Sequence, residues 1–243
     1  MNAFHAYFEE VTELLKKAAG QEEALETAAR ICHEALKNGK MIYTFGTGHS
    51  HMLAEEIFYR AGGLVRVNPI LDEGLMLHAG AAKSTSLERL DHYSEVLADH
   101  YGLEGGSVML IFSNSGRNAA TIEMAHAAHE RGLSVIAITN LMHSRSVESR
   151  HSSGKKLYEV ADVVLDNYGC VGDAAIDVGT YRVGPTSTVV GAALLQALVC
   201  RIVELSLEDD RPIEVFCSSN VDSGDHRNAV YIQKYREKIR ALW

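Results

Sequence analysis

Apolar residues open the chain at helical spacing. Phe4, Tyr7, Phe8, Val11, Leu14 and Leu15 fall three or four positions apart and predict an amphipathic helix over residues 2–18. After Gly20 the same period carries Leu25, Ala28, Ala29, Cys32 and Leu36 to about Asn38, where Gly39 ends a second helix. The pattern then changes. Residues 41–45 form a short strand, apolar but for Thr44, and 108–112 is an apolar run; the second, Val108 to Phe112, has no polar alternation and reads as a strand covered on both faces, as in a parallel sheet. Further strands are predicted at 64–70, 134–139 and 162–166. Helical spacing recurs at 51–60, 118–130, 86–100 and 186–207. The βα alternation predicts an α/β fold, a doubly wound three-layer αβα sandwich with a five-stranded parallel sheet, whose ligands sit at the carboxyl ends of the strands.

Two of the strand-to-helix turns share a chemistry. Strand 41–45 enters Gly46-Thr47-Gly48-His49-Ser50, and strand 108–112 enters Ser113-Asn114-Ser115-Gly116-Arg117-Asn118, with Asn118 placed to cap the following helix. Small residues and hydroxyls at a helix start converge backbone N–H groups, side-chain donors and the positive end of a helix dipole on one point, an anion site suited to phosphate.

Composition narrows the ligand classes. The chain has 243 residues, 47% hydrophobic and 23% charged, with a formal charge of −9, and no run of lysine and arginine exceeds two residues. Nucleic acid and anionic membrane are therefore poor partners. Cys32, Cys170, Cys200 and Cys217 lack C-x-x-C spacing and predict a reducing, cytoplasmic setting. Glu9, Glu10 and Glu13 argue against a signal peptide, and no apolar run is expected to reach membrane-spanning length. Of the twelve histidines, His49 and His51, and His126 and His129, are paired, but neither pair has a third ligand at recognisable spacing, so no metal is expected. With three prolines and no low-complexity tract, residues 1–243 read as a single domain: N-terminal helices at 1–37, a core at 38–205 and a polar, loop-like tail at 206–243. The polar, partly basic stretch 143–157 fits either a functional loop at the carboxyl edge or a solvated insertion.

The paired loops, Gly46-x-Gly48-x-Ser50 and Ser113-x-Ser115-Gly116, followed by Ala161-Asp162-Val163-Val164-Leu165, resemble the SIS (sugar isomerase) domain over roughly residues 38–205. The resemblance implies a flavodoxin-like fold and a phosphosugar ligand. By position it implicates Gly46, Gly48, Ser50, Ser113, Asn114, Ser115, Gly116 and Asn118 in phosphate binding. Asn118 stands where the family usually has Thr or Ser. Pro185-Thr186-Ser187-Thr188 looks like the segment that closes over the sugar, adding Thr186 and Ser187. The last long helix carries Gln196, as phosphoheptose isomerases do, but Glu204 and no histidine after it. The implied reaction is aldose–ketose isomerisation through an enediolate, without a cofactor, by a carboxylate base: Glu55 or Glu56 first, then Glu88 or Glu73, with His226 as a residue that could cross to a neighbouring subunit of a homodimer or tetramer. The enzymatic rival is an etherase acting on a 6-phospho amino sugar. The rival of another class is a non-catalytic phosphosugar sensor, which the acidic helices at 1–37, lacking a basic recognition helix, make less apt.

Overall fold

The computed structural model describes residues 2–222 and 224–242. Its centre is a parallel sheet of β1 (Ile42–Gly46), β2 (Val67–Ile70), β3 (Val108–Ser113), β4 (Ser134–Thr139) and β5 (Val163–Asp166), in the order β2-β1-β3-β4-β5. The residues of β1 are all buried, and β3 and β4 are buried over all but one end. Their unbroken apolar character follows from cover on both faces. Side chains alternate between faces along each strand. Val108, Leu110 and Phe112 of β3 thus enter one core with Cys32 and Leu198, while Met109 and Ile111 enter the other with Met124 and Ala128.

The first core is closed by α1 (Ala3–Ala19), α2 (Glu22–Lys37), α3 (His51–Glu56) and α9 (Ser187–Glu208). The second is closed by α5 (Tyr93–Tyr101), α6 (Ala119–Glu130) and α10 (Gly224–Tyr235), and the short α7 (Leu141–Arg145) and α8 (Leu157–Val160) lie between β4 and β5. Alanines at the α2 and α6 contacts, including Ala28, Ala29, Ala120 and Ala125, bring those helices close to their neighbours.

Strand order reverses at β1, with β2 on one side and β3 on the other. In open α/β sheets that point forms a crevice at the carboxyl ends. β1 and β3 pair in register from Ile42 opposite Val108 to Gly46 opposite Phe112, so the two glycine–serine turns start abreast.

Several elements differ from the sequence reading. The helix expected over 51–60 ends at Glu56, because the following turn pairs with the tail: Gly62 N–H donates to the Phe216 carbonyl at 2.8 Å and Phe216 N–H to the Gly63 carbonyl at 2.9 Å. The strand expected over 64–70 shortens to Val67–Ile70, and Leu64 instead makes an isolated antiparallel bridge with Val215. The pattern at 86–100 is interrupted: α4 (Ala81–Leu87) and α5 are separated by a turn in which His92 adopts φ +65°. A hairpin of β6 (Ala174–Val178) and β7 (Tyr181–Pro185) occupies a stretch to which the pattern assigns no element, and the helix α10 lies in the tail read as loop-like. Asn228 of α10 anchors that helix, accepting from Cys217 N–H at 3.1 Å and donating to the Cys217 carbonyl at 2.8 Å.

The helix α9 also corrects an expectation, since its 22 residues are by length and composition long and apolar enough to cross a membrane. Here Val190, Leu194, Leu195, Leu198, Val199, Ile202 and Leu205 are buried against α1, α2 and the sheet. A core helix of a sandwich meets apolar neighbours along most of its length, which produces the same composition.

Candidate functional site

Both loops leave the sheet at the reversal point. At the first, Gly46 is required sterically: a Cβ there would lie 2.5 Å from the Ser50 carbonyl oxygen, because the chain folds into a tight 3-10 turn, Gly48–Ser50, before α3. At the second, Gly116 has φ +57°, and a Cβ would crowd Leu157 at 3.1 Å. The Ser113 hydroxyl accepts from the Gly116 N–H at 3.1 Å and fixes the turn. Among the described residues, the hydroxyls of Ser50 and Ser115 have no protein hydrogen-bond partner. Both side chains are half-buried.

A small pocket beside the loops is lined by His49, Ser50, Ser113, Asn114, Asn167 and Ser187, among others. Asn167 escaped the sequence reading. Its amide donates to Asn114 Oδ1 at 2.9 Å, and its own oxygen accepts from Gly169 N–H at 3.0 Å. It follows β5 directly, so its position at the end of a predicted strand was its only signal.

Of the carboxylates, Glu88 is the one that joins the loops. Its Oε2 accepts from Thr47 Oγ1 at 3.0 Å and its Oε1 from Asn118 Nδ2 at 2.9 Å, while its main-chain carbonyl accepts from Ala120 N–H at 3.1 Å. Asn118 does hold the N-cap position of α6, but its side chain makes no capping bond because Glu88 and Arg150 engage both its amide atoms. Glu55 is half-exposed and faces His51 Nε2 at 3.7 Å; His51 Nδ1–H in turn donates to the Gly48 carbonyl of the first loop. Glu56 turns elsewhere. It pairs with Arg60, and its Oε1 accepts from Gln196 Nε2 at 3.3 Å. Gln196 lies nine residues beyond Ser187, roughly 13 Å along the helix at 1.5 Å per residue. Glu73 is exposed. His226 is exposed on α10, and Ser223 before it lies outside the described residues. Glu204 pairs with Arg201 at 2.6 Å.

Thr186 and Ser187 stand at the start of α9, and Asp173 occupies that helix end. Asp173 Oδ1 accepts from the Thr186 and Ser187 N–H groups at 3.0 and 2.8 Å, and Oδ2 accepts from Ser187 Oγ at 2.6 Å. A carboxylate at a helix N-terminus satisfies free donors and the dipole together.

Among the described residues, the cluster with metal-ligand spacing is His33, Glu34 and Asp209. It lies where α2 and α9 end, and Lys37 and His33 together hold the Asp209 carboxyl down to about 2. His129 pairs with Asp162 at 3.1 Å, and the His126 ring faces that of His151.

Residues 6–140 match the SIS domain family, and the paired loops fall inside that span. The chain belongs to the SIS domain family. It is 43% identical over 246 residues to a UPF0309 protein of Shouchella clausii, covering the whole of both chains, and 44% identical over 239 residues to a UPF0309 protein of Geobacillus thermodenitrificans, covering 97% and 96%. Among solved structures, the phosphoheptose isomerase of Neisseria gonorrhoeae is similar in fold, with TM-score 0.54 and 22% identity over 82% of this chain and 96% of that one. The Vibrio vulnificus NanR protein complexed with ManNAc-6P has TM-score 0.53 and 20% identity over 96% of this chain and 70% of that one. The expected SIS fold, with its five-stranded parallel sheet, is therefore present.

The Asp173 cap of this SIS domain gives a direct test. Asp173→Ala removes a charged acceptor from two N–H groups and a hydroxyl and is expected to cost about 2 kcal/mol. Urea unfolding should show a lower midpoint at unchanged slope; an unaltered midpoint would show that the cap contributes nothing.

Proposed function

We propose that this SIS domain binds a phosphorylated sugar at the carboxyl ends of β1 and β3 and isomerises it between aldose and ketose. The observation that carries this reading is the convergence of the two glycine–serine loops on one carboxylate, Glu88. Ser50, Ser113 and Ser115, with the N–H groups opening α6, supply neutral donors for the phosphate. Asn114 is braced from behind by Asn167. Thr186 and Ser187 border the site with their own donors already engaged by Asp173.

The chemistry asks for one base and several donors. In a ring-opened sugar phosphate the proton on the carbon next to the carbonyl is acidic. A carboxylate removes it, the electron pair moves into an enediolate, and the proton returns to the neighbouring carbon as the carbonyl re-forms. Hydroxyl and N–H donors aimed at the oxygens stabilise the developing negative charge. Glu88 is the preferred base, since it is oriented by a bond from each loop; Glu55, tied to the first loop through His51, is next. Glu56 is directed towards Gln196 and Arg60 and ranks behind both. No cofactor enters these steps.

Glu88→Gln is a clean probe, because the amide can keep both bonds, donating to Thr47 Oγ1 and accepting from Asn118, yet cannot take a proton. Exchange of the sugar C2 proton with deuterated water, followed by NMR over a panel of sugar 6-phosphates, should fall at least about a hundredfold with affinity little changed. Ser115→Ala should instead weaken binding roughly tenfold to a hundredfold in titration calorimetry, the loss expected for a hydrogen bond to a charged group. Tight binding by the wild type with no exchange would replace the enzyme with a sensor, and exchange accompanied by lactate release would make it an etherase. Full exchange in Glu88→Gln would return the base to Glu55.

Self-association is part of the proposal. Phe4 and Phe8 are exposed at 64% and 58% with their ring centroids 5.1 Å apart, and α1 is tied to the β6–β7 hairpin by Tyr7 Oη donating to the Pro185 carbonyl at 2.9 Å. Tyr181, 72% exposed, and Val183 extend this apolar surface. Sedimentation should give a dimer or larger species that Phe8→Glu shifts towards monomer, and a wild-type monomer at micromolar concentration would refute the assembly.

A further inference from the structure

The 143–157 segment is built into the second loop. Arg150 N–H donates to the Arg117 carbonyl at 2.8 Å and Leu157 N–H to the Gly116 carbonyl at 2.8 Å, so the segment is fastened to the serine loop twice. It is also braced within itself. Lys156 Nζ donates to the Ser144 and Val147 carbonyls at 2.7 and 3.1 Å, and Ser149 Oγ to the Lys155 carbonyl at 2.7 Å. His151 Nε2 stands 3.9 Å from Glu123 Oε1, whose side chain is 5% exposed. This path delivers the Arg150 guanidinium to Asn118, where Nη1 donates to Oδ1 at 3.0 Å.

Arg150 is not alone there. Arg117 lies in the serine loop with its Nε buried and without a protein partner, and Arg89 directly follows Glu88. Among the described residues, none of the three guanidinium groups has a carboxylate oxygen within 4.0 Å. Burial, Arg117 and Arg89 together hold Arg150 below the usual arginine range, with Glu88 opposing them. Burial and Arg117 likewise lower His143. Positive charge is thus gathered and left in excess beside a loop whose own phosphate donors are neutral. A guanidinium carries five N–H groups in a planar fork that matches carboxylate or phosphate, and Asn118 takes up a single nitrogen.

We propose that Arg150, with Arg89 and Arg117, forms a second anion subsite next to the serine loop, so that the ligand is a sugar phosphate bearing a further negative group, a carboxylate or a second phosphate. This rests on the phosphosugar reading above and narrows its substrate class. The serine loops hold the phosphate common to all such sugars, and the arginines select those with a second anion. Arg150 is the specificity-determining member, because the other two are tied to the loop and to the Glu88 turn.

Three acyclic sugars isolate the second charge: glucitol 6-phosphate, 6-phosphogluconate, which differs by a carboxylate at C1, and glucitol 1,6-bisphosphate. Calorimetry on the full chain should show the two doubly anionic ligands binding at least about tenfold tighter than glucitol 6-phosphate. Which of the two gains more identifies the second group. In Arg150→Ala that preference should collapse while affinity for glucitol 6-phosphate changes less than about threefold, and Arg150→Lys should restore part of it. The dependence of affinity on salt should also become shallower in Arg150→Ala, for the doubly anionic ligands alone. Equal binding of all three sugars by the wild type overturns the inference while leaving the phosphosugar reading intact. An equal loss for all three in Arg150→Ala also overturns it, placing Arg150 on the shared phosphate. If neither inorganic phosphate nor any of the three sugars binds, the phosphosugar reading fails and the subsite with it.

Discussion

The site depends on the Glu88 carboxylate. β1 and β3 start their loops abreast, but two loops of small residues have little of their own to hold their far ends in register. Glu88 supplies the tie by bonding Thr47 on one side and Asn118 on the other, and its carbonyl meets the start of α6. Its place is set by the turn between α4 and α5, which is stitched to α6. His92 N–H donates to Glu123 Oε1 at 2.7 Å, and Ser94 Oγ donates to the Ala120 carbonyl at 2.7 Å. Breaking the helical pattern there places the carboxylate beside both loops, where an unbroken helix over 86–100 would leave it on a helix flank.

That break marks the limit of what the residue pattern reveals. The central strands are legible because they are covered on both faces, so apolar character marks them; β4 lies at 134–139 as the pattern predicts, whereas the edge strand β2 is shorter than its pattern. The two loops are legible because glycines and hydroxyls cluster where an apolar strand becomes a helix. The turn at His92 is not, since its neighbours keep helical spacing on either side and the left-handed residue is neither glycine nor asparagine. The hairpin is hidden for a different reason. β6 and β7 are half-exposed to exposed along their length, so nothing forces alternation on their sequence. α10 is obscured by its polar composition, and it is held largely by Tyr231, Ile232 and Tyr235 against the second core and by the Asn228 bonds.

The 143–157 stretch shows how a polar composition conceals two opposite roles. Polar residues are what a solvated insertion would carry, and also what a segment needs to satisfy its own backbone while following an irregular path. The bonds from Lys156, Ser149 and Leu157 show the segment satisfying its own backbone along a fixed path. Sequence shows that Arg150 is basic; only the folded path shows that it meets Asn118. An asparagine can accept from an arginine and donate to a glutamate at once. A threonine hydroxyl could do both with its single oxygen, but it could not span the two groups with separate atoms. Asn118 and the ordered loop are therefore two parts of one arrangement.

Charge placement then distinguishes the helix ends at the carboxyl edge. Of the helices that begin at the carboxyl edge, α6 follows the hydroxyls of the serine loop and α9 opens with Thr186 and Ser187, and the dipole argument treats the two alike. The fold does not. At α9 Asp173 already accepts from both leading N–H groups and from Ser187 Oγ, so a phosphate there would meet a fixed negative charge and donors already engaged. At α6 the main-chain partner is the neutral Glu88 carbonyl, the Ser115 hydroxyl has no protein partner among the described residues, and the one carboxylate on the cap residue Asn118, that of Glu88, is set against Arg150, with Arg117 and Arg89 beside it. In a chain of net charge −9, an anion finds a favourable approach only where such a local excess exists. The turn that brings Glu88 to the loops and the segment that brings Arg150 to Asn118 thus act on the same helix end, one setting its shape and the other its charge.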